Sequence, residues 1–245
     1  MTRASDRALA LYLSAPHACS YLPDRLSRTL FTDPDDAMTA ARYAELISFG
    51  FRRSGRMVYA PRCEDCRQCV SVRIPVDAFT LRRSYRRILR TNDDVTTIEH
   101  AAGFHDEHYA LYQRYTAARH GDGDMASATP DQYMAFLNAD WCDTRFLELR
   151  SASKLLGVAV TDRLANGLSA VYTFFDPALP ERSLGTLAIL KQIEWANALN
   201  LPHLYLGYWI RDSHKMAYKA RFRPLELWRS GNWQRFEHDA DLPDH

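Results

Sequence analysis

The 245-residue chain is short of several features that would assign it a class at once. No apolar run approaches the ~18–20 residues needed to cross a bilayer. The first residues, with Arg3, Asp6 and Arg7 around short apolar patches, lack the basic-then-apolar layout of a secretory leader. These absences lead to the expectation of a cytoplasmic protein without membrane contact. Internal repeats and low-complexity segments are missing too. Cysteine is scarce and odd in number: five residues, three of them within Cys63–Cys69, make a poor disulfide framework and a better metal or redox site. Cys142, beside Trp141, reads as a packed small hydrophobe. Lysine is rarest among the charged residues, with Lys154, Lys191, Lys215 and Lys219 the only four of 31 basic side chains.

Net charge is also nearly absent, at +1, but the charges are segregated. Eleven arginines between Arg52 and Arg90 face only Glu64, Asp65 and Asp77, and six basic residues from Arg211 to Arg229 face Asp212 and Glu226. Such clustering suggests a polyanion held by selected surfaces. Arginine's planar fork suits phosphate.

Residues 37–48 have helical spacing after the acidic Asp33-Pro34-Asp35-Asp36, and Gly50 can end that helix. Strands are expected at 56–60 and 70–76, a basic helix at 81–92, and a domain boundary near 92–97. Next come a helix over 105–120 broken by Gly121-Asp122-Gly123, and one opened by Thr129-Pro130. Strands at 145–149, 156–161 and 168–175 precede a helix over 184–199, a strand at 204–209, a short helix at 215–219 and strands near 225–228 and 233–236. The second half reads as helices on a mostly antiparallel sheet, α+β.

Four constellations carry chemistry. Cys63, Cys66 and Cys69 at i, i+3 and i+6 could turn three thiolates to one metal, zinc or an iron–sulfur cluster, with Cys19 as fourth ligand and His17 a lesser candidate. Arg82, Arg83, Arg86, Arg87 and Arg90 crowd one helix, four of them on one face, where phosphate would screen them. Glu181-Arg182-Ser183-Leu184-Gly185-Thr186 precedes a helix, so Ser183 can cap it and Gly185 can admit a ligand to its positive end. Finally, Tyr205–Phe222 runs from strand aromatics into Lys215, Tyr218 and Lys219, suiting a base or apolar side chain beside an anion.

These residues resemble a family. Pro16-His17-Ala18-Cys19-Ser20-Tyr21-Leu22-Pro23, Tyr59-Ala60-Pro61-Arg62-Cys63 with Cys66-Arg67-Gln68-Cys69, and the basic Ser84–Asn92 stretch are similar to the N-terminal domain of bacterial aspartate/glutamate leucyltransferases. Arg119–Met125, Ser169–Tyr172 with Asp176-Pro177, Ser183–Gly185, Gly207–Ile210 and Lys215–Lys219 resemble their C-terminal domain. The resemblance runs over about 15–236, and eukaryotic arginyltransferases are more distant relatives.

It implies an α+β fold with an acetyltransferase-like (GNAT-type) mixed sheet and flanking helices over 96–245, after a smaller cysteine-containing domain over 1–95. It implies leucyl-tRNA as donor, proteins with N-terminal Asp or Glu as acceptors, and a leucine-tagged product recognised by N-end-rule degradation. The step is aminolysis of an ester and needs no ATP or redox cofactor. Tyr172, Ser183 and Tyr208 are the candidates for orienting the ester or stacking on the terminal adenosine, with Gly185, Thr186 and Tyr218 binding substrate. Lys215, Lys219 or a nearby arginine would pair with the acceptor's acidic side chain. The arginine ladder would grip tRNA. No general base stands out beyond Asp176. An arginyl donor, an acetyl-CoA-dependent acetyltransferase and a metal-bearing nucleic-acid module remain alternatives.

Overall fold

Alternating and wholly apolar runs bounded by turn residues become strands, and the 3.6-period segments become helices. The computed structural model describes residues 9–33, 35–119, 127–238 and 242. In chain order they form β1 (Leu11–Leu13), β2 (His17–Ala18), β3 (Leu26–Ser27), β4 (Thr29–Thr32), α1 (Ala40–Ser48), β5 (Arg52–Ser54), β6 (Met57–Pro61) and β7 (Val70–Pro75). Then follow α2 (Arg83–Thr91), β8 (Val95–Ala101), α3 (Asp106–Arg119), α4 (Pro130–Leu137), β9 (Asp143–Ser151), β10 (Lys154–Leu164) and β11 (Gly167–Phe175). The chain closes with α5 (Leu184–Ala198), β12 (His203–Trp209), β13 (Leu225–Arg229) and β14 (Asn232–Phe236).

One sheet dominates, in the order β14-β13-β7-β12-β11-β10-β9-β8. Every neighbouring pair in it is antiparallel except β11 and β12, so the sheet is mixed as well as mostly antiparallel. β7, from the cysteine-bearing half, lies between β12 and β13. A smaller sheet runs β1-β4-β6-β5, and β2 pairs with β3.

Helices cover both faces of the large sheet. On one, Leu184, Leu187 and Ala188 of α5 meet Leu147, Leu149 and Leu156, while Ile189, Leu190 and Ile193 meet Val72, Ile74 and Leu204. Ile88 and Leu89 of α2 pack against the same clusters. On the other face, Leu111 and Tyr112 of α3 and Tyr133 and Leu137 of α4 meet Phe146, Val158 and Phe174. α1 buries Tyr43, Ala44 and Ile47 against Val58, Leu164 and Tyr205.

Local capping explains where two elements begin. α1 starts at Ala40 rather than near Asp36, because Thr39 Oγ1 accepts from Arg42 N at 3.2 Å while Asp33 Oδ1 is occupied by Asp35 N. Gly50, at φ +85° just past that helix, ends it as expected. α4 opens with the full capping box of Thr129 and Gln132 behind Pro130. The short helix expected at 215–219 is instead a turn followed by a 3-10 segment at Ala217–Arg221. Residues 120–126, holding the expected Gly121–Gly123 break and most of the Arg119–Met125 motif, lie outside the described residues.

Candidate active site

Two bulges open the middle of the large sheet. β10 pairs Val160 with Tyr172 and then Thr161 with Ala170, which leaves Val171 of β11 as an extra residue. β7 likewise pairs Arg73 with Tyr205 and then Val72 with Gly207, leaving Leu206 of β12 extra. The parallel ladder between β11 and β12 holds only at Leu168–Leu204 and Ser169–Tyr205. Beyond that level the strands part, and Ala170, Val171 and Tyr172 of an inner strand are half-exposed. Bulges turn strands and commonly sit beside active sites.

Arg52 of β5 enters the gap. Its Nη2 donates to Ala170 O at 2.7 Å and to Val171 O at 3.4 Å, groups that a regular β12 would have paired. The guanidinium lies on Gly207, whose φ is +78°. A Cβ there would stand 1.7 Å from Arg52 Nη1 and 2.6 Å from its Cζ, so only glycine fits. Arg52 is 8% exposed, and no carboxylate pairs with it among the described residues. Its neighbour Arg53 is the opposite case, with Nε and Nη2 each 2.6 Å from the buried Asp162 carboxylate.

The segment after β12 folds back over the same opening. Lys219 is buried, and its Nζ donates to Tyr208 O at 2.6 Å. Burial, then the nearby Arg52 charge, holds its amine well below the usual lysine range, against the opposing effect of Cys69. Tyr208 is buried, with its hydroxyl 3.0 Å from Gly50 O and 3.2 Å from Tyr59 O, so its phenol anchors backbone. Tyr218 is partly exposed, while burial, then Tyr115, pushes its phenol up to about 12. The buried Tyr172 hydroxyl has no hydrogen-bond partner among the described residues, and its ring stands against Phe136 at 5.2 Å. Lys215 and Ser183 are exposed.

Ser183 takes a left-handed conformation, φ 51°, and makes no side-chain cap to α5, contrary to the sequence expectation. The loop is held from outside instead. Arg182 forms a two-pronged pair with Asp94, and Asn92 donates to Arg182 O. Arg182 is therefore engaged away from any ligand of the helix end. Gly185 lies close under Phe175, with a would-be Cβ 3.0 Å from its ring, and Thr186 is half-buried on the next step.

Asn92 and Asp94 also tie this loop to the end of α2. Arg82, Arg83, Arg86, Arg87 and Arg90 are all exposed, and none of them makes an ion pair among the described residues. Tyr85 anchors the helix through its hydroxyl to Arg221 O at 2.6 Å. An open cavity of about 520 Å³, lined by Thr80, Arg82, Arg223, Pro224, Glu237 and His238, adjoins its first turn.

The cysteine loop borders the opening. Burial, then the neighbouring Cys63, Cys19 and Cys66, pushes the Cys69 thiol up to about 12. Yet among the described residues no group of three or more His, Cys, Asp or Glu side chains is placed to hold a metal ion. The expected zinc or iron–sulfur site at Cys19, Cys63, Cys66 and Cys69 finds no support in this arrangement.

Arg52 went unremarked in the sequence beyond its place in a basic segment. The usable signal was the pair Arg52-Arg53 inside a short strand: adjacent strand residues face opposite sides, so one arginine had to point inward.

Two family descriptions match, "Arginine-tRNA-protein transferase, N terminus" over residues 17–87 and "Arginine-tRNA-protein transferase, C terminus" over 107–229. The chain is 50% identical over 236 residues to the aspartate/glutamate leucyltransferase of Alcanivorax borkumensis, covering 96% of this chain and 98% of that one. It is 52% identical over 231 residues to that of Chromohalobacter salexigens, covering 94% of each. Among solved structures, the C-terminal domain of a putative lysylphosphatidylglycerol synthetase from Agrobacterium fabrum aligns with a TM-score of 0.46 at 13% identity, over 74% of this chain and 53% of that one. With both family halves present in order and half of all positions shared over nearly the full length, the chain belongs to the arginine-tRNA-protein transferase family.

Proposed function

We infer that this protein transfers leucine from leucyl-tRNA to the N-terminus of proteins beginning with Asp or Glu, and that the opening between β11 and β12 is where transfer occurs. The observation that carries the activity is near-full-length identity to aspartate/glutamate leucyltransferases. The product bears an N-terminal leucine, the signal for N-end-rule degradation. The GNAT-type reading of the sheet finds support in the parallel strands that part at paired bulges. A cytoplasmic setting suits both substrates, and no helix among the described residues is long and apolar enough to cross a membrane.

In the reaction the acceptor's α-amine attacks the ester carbonyl carbon of leucyl-tRNA. A tetrahedral oxyanion forms and then collapses to an amide, and the ribose oxygen leaves with a proton. An α-amine titrates near pH 7.7–8.0, so about a tenth or more is nucleophilic at neutral pH. The site's tasks are positioning and charge stabilisation. In this reading the exposed arginines of α2 hold phosphates of tRNA, and the Asn92 and Asp94 ties set the grip against the start of α5. The ester and terminal adenosine enter between Tyr172, Ser183–Thr186 and Tyr218. Residues 1–95 then supply the grip and the floor of the opening, and residues 96–245 most of its walls.

The test is transfer of labelled leucine or arginine from purified charged tRNA to peptides beginning Asp, Glu, Asn or Ala. Leucine transfer confined to Asp and Glu peptides is the expected result. Transfer of arginine, or of neither with active tRNA controls, would overturn it.

A further inference from the structure

We propose that Arg52 reads the acceptor's acidic side chain, its guanidinium receiving the Asp or Glu carboxylate where β11 and β12 part. The proposal rests on the leucyl-transfer reading and names the residue behind its acceptor specificity.

Arg52 is buried, yet among the described residues only its Nη2 has acceptors, the carbonyls of Ala170 and Val171. Nε and Nη1 have none among the described residues. Neither atom is fully buried, so both stay open to a ligand at the gap, and a largely buried cation without a counter-ion is what an anion would complete. Arg53 next to it has such an anion within the fold, Asp162, whereas Arg52 has neither Asp nor Glu as a partner among the described residues. The place is also specifically kept for it. The bulges at Val171 and Leu206 open the gap, and Gly207 gives up its Cβ position to Arg52 Nη1.

The surroundings select a carboxylate over a phosphodiester. Arg52 is paired with Tyr59 across β5 and β6, and the Tyr59 ring stands 6.1 Å from that of the buried Tyr208, whereas the exposed arginines of α2 are open to a nucleic-acid backbone. A planar fork against a small planar anion is the matching geometry. An amide in place of the carboxylate leaves the buried charge unpaired, which is how such a site rejects Asn and Gln. Lys219 is the poorer reader: its amine is committed to Tyr208 O, and burial disfavours its charge. Lys215 is exposed.

The experiment starts with the wild-type protein, leucyl-tRNA, and peptides beginning Asp, Glu or Asn. If the wild type transfers no leucine to any peptide, the leucyl-transfer reading itself has failed. Where it does transfer, Arg52→Gln is expected to lower kcat/KM for Asp and Glu peptides ~10–100-fold, the size of a charged hydrogen bond. The loss falls on acceptor KM, leaves leucyl-tRNA affinity unchanged, and brings the Asp peptide to the level of the Asn peptide. Gly207→Ala, which displaces the guanidinium without removing its charge, is expected to erode the same preference. A folded Arg52→Gln protein that still prefers Asp to Asn overturns the proposal. So does an equal fall in kcat for every acceptor at unchanged KM, which would make Arg52 an oxyanion donor. If neither variant folds, NMR of the wild-type Arg52 Nε–H decides: a shift with the Asp peptide and not the Asn peptide supports the proposal, and its absence overturns it.

Discussion

Arg52 and Arg53 stand side by side on β5, and the fold completes one of them and leaves the other open. Arg53 spends its donors on Asp162, Leu137 O, Thr144 Oγ1 and Gly55 O, in a pair with both side chains at 0% exposure. Removing either partner strands a buried charge, so Arg53→Ala or Asp162→Ala should each cost about 3–5 kcal/mol in a denaturant titration. Nothing in a linear reading separates the two arginines, because the difference lies in Asp162, over a hundred positions away. Glu148 illustrates a carboxylate of the opposite kind to a catalytic one. Although burial opposes its charge, Arg150 and His108 hold its pKa down at about 2. Its stabilisation is therefore complete above the ordinary carboxylate range near pH 4.5 and is lost as pH falls through about 2. Glu148→Gln should flatten that acid limb in a stability-versus-pH series; an unchanged slope would remove Glu148 from the account.

Among the elements, the helices were legible because amphipathic spacing and caps are local. α4 is the plainest, since Thr129, Pro130 and Gln132 state its start in four residues. Thr129→Ala should cost about 1 kcal/mol, read from thermal unfolding. α2 was legible as a basic helix, and its exposed arginines bear that out. Changing Arg83, Arg87 and Arg90 together to Glu should weaken leucyl-tRNA binding and flatten its salt dependence; preserved affinity would take tRNA away from this helix. β5 and β8 were not foreseen: β5 is three residues long with two arginines, and β8 is polar at Thr96, Thr97 and Glu99, so neither has a strand's apolar alternation. The two bulges were equally silent, because a bulge is a property of register between strands and leaves no mark on either one alone. Ser183 shows the limit of capping rules, since the contacts of Arg182 and Asn92 place it in a left-handed turn.

Across the whole molecule, the site exists only because distant segments meet. β7 sits between β12 and β13, β5 sends Arg52 under β11 and β12, and the end of α2 ties down the start of α5. The α+β class and the family could be read from ordered motifs, but the opening itself arises from a parallel pair joined across α5, which no motif displays. The measurement closest to the central claim is a structure of the protein with a non-hydrolysable leucyl-adenosine amide and an Asp-starting peptide. The account predicts the leucyl carbonyl in the opening between β11 and β12, with the peptide carboxylate on Arg52. Both ligands lodged elsewhere, for example in the cavity lined by Arg82 and Arg223, would contradict it.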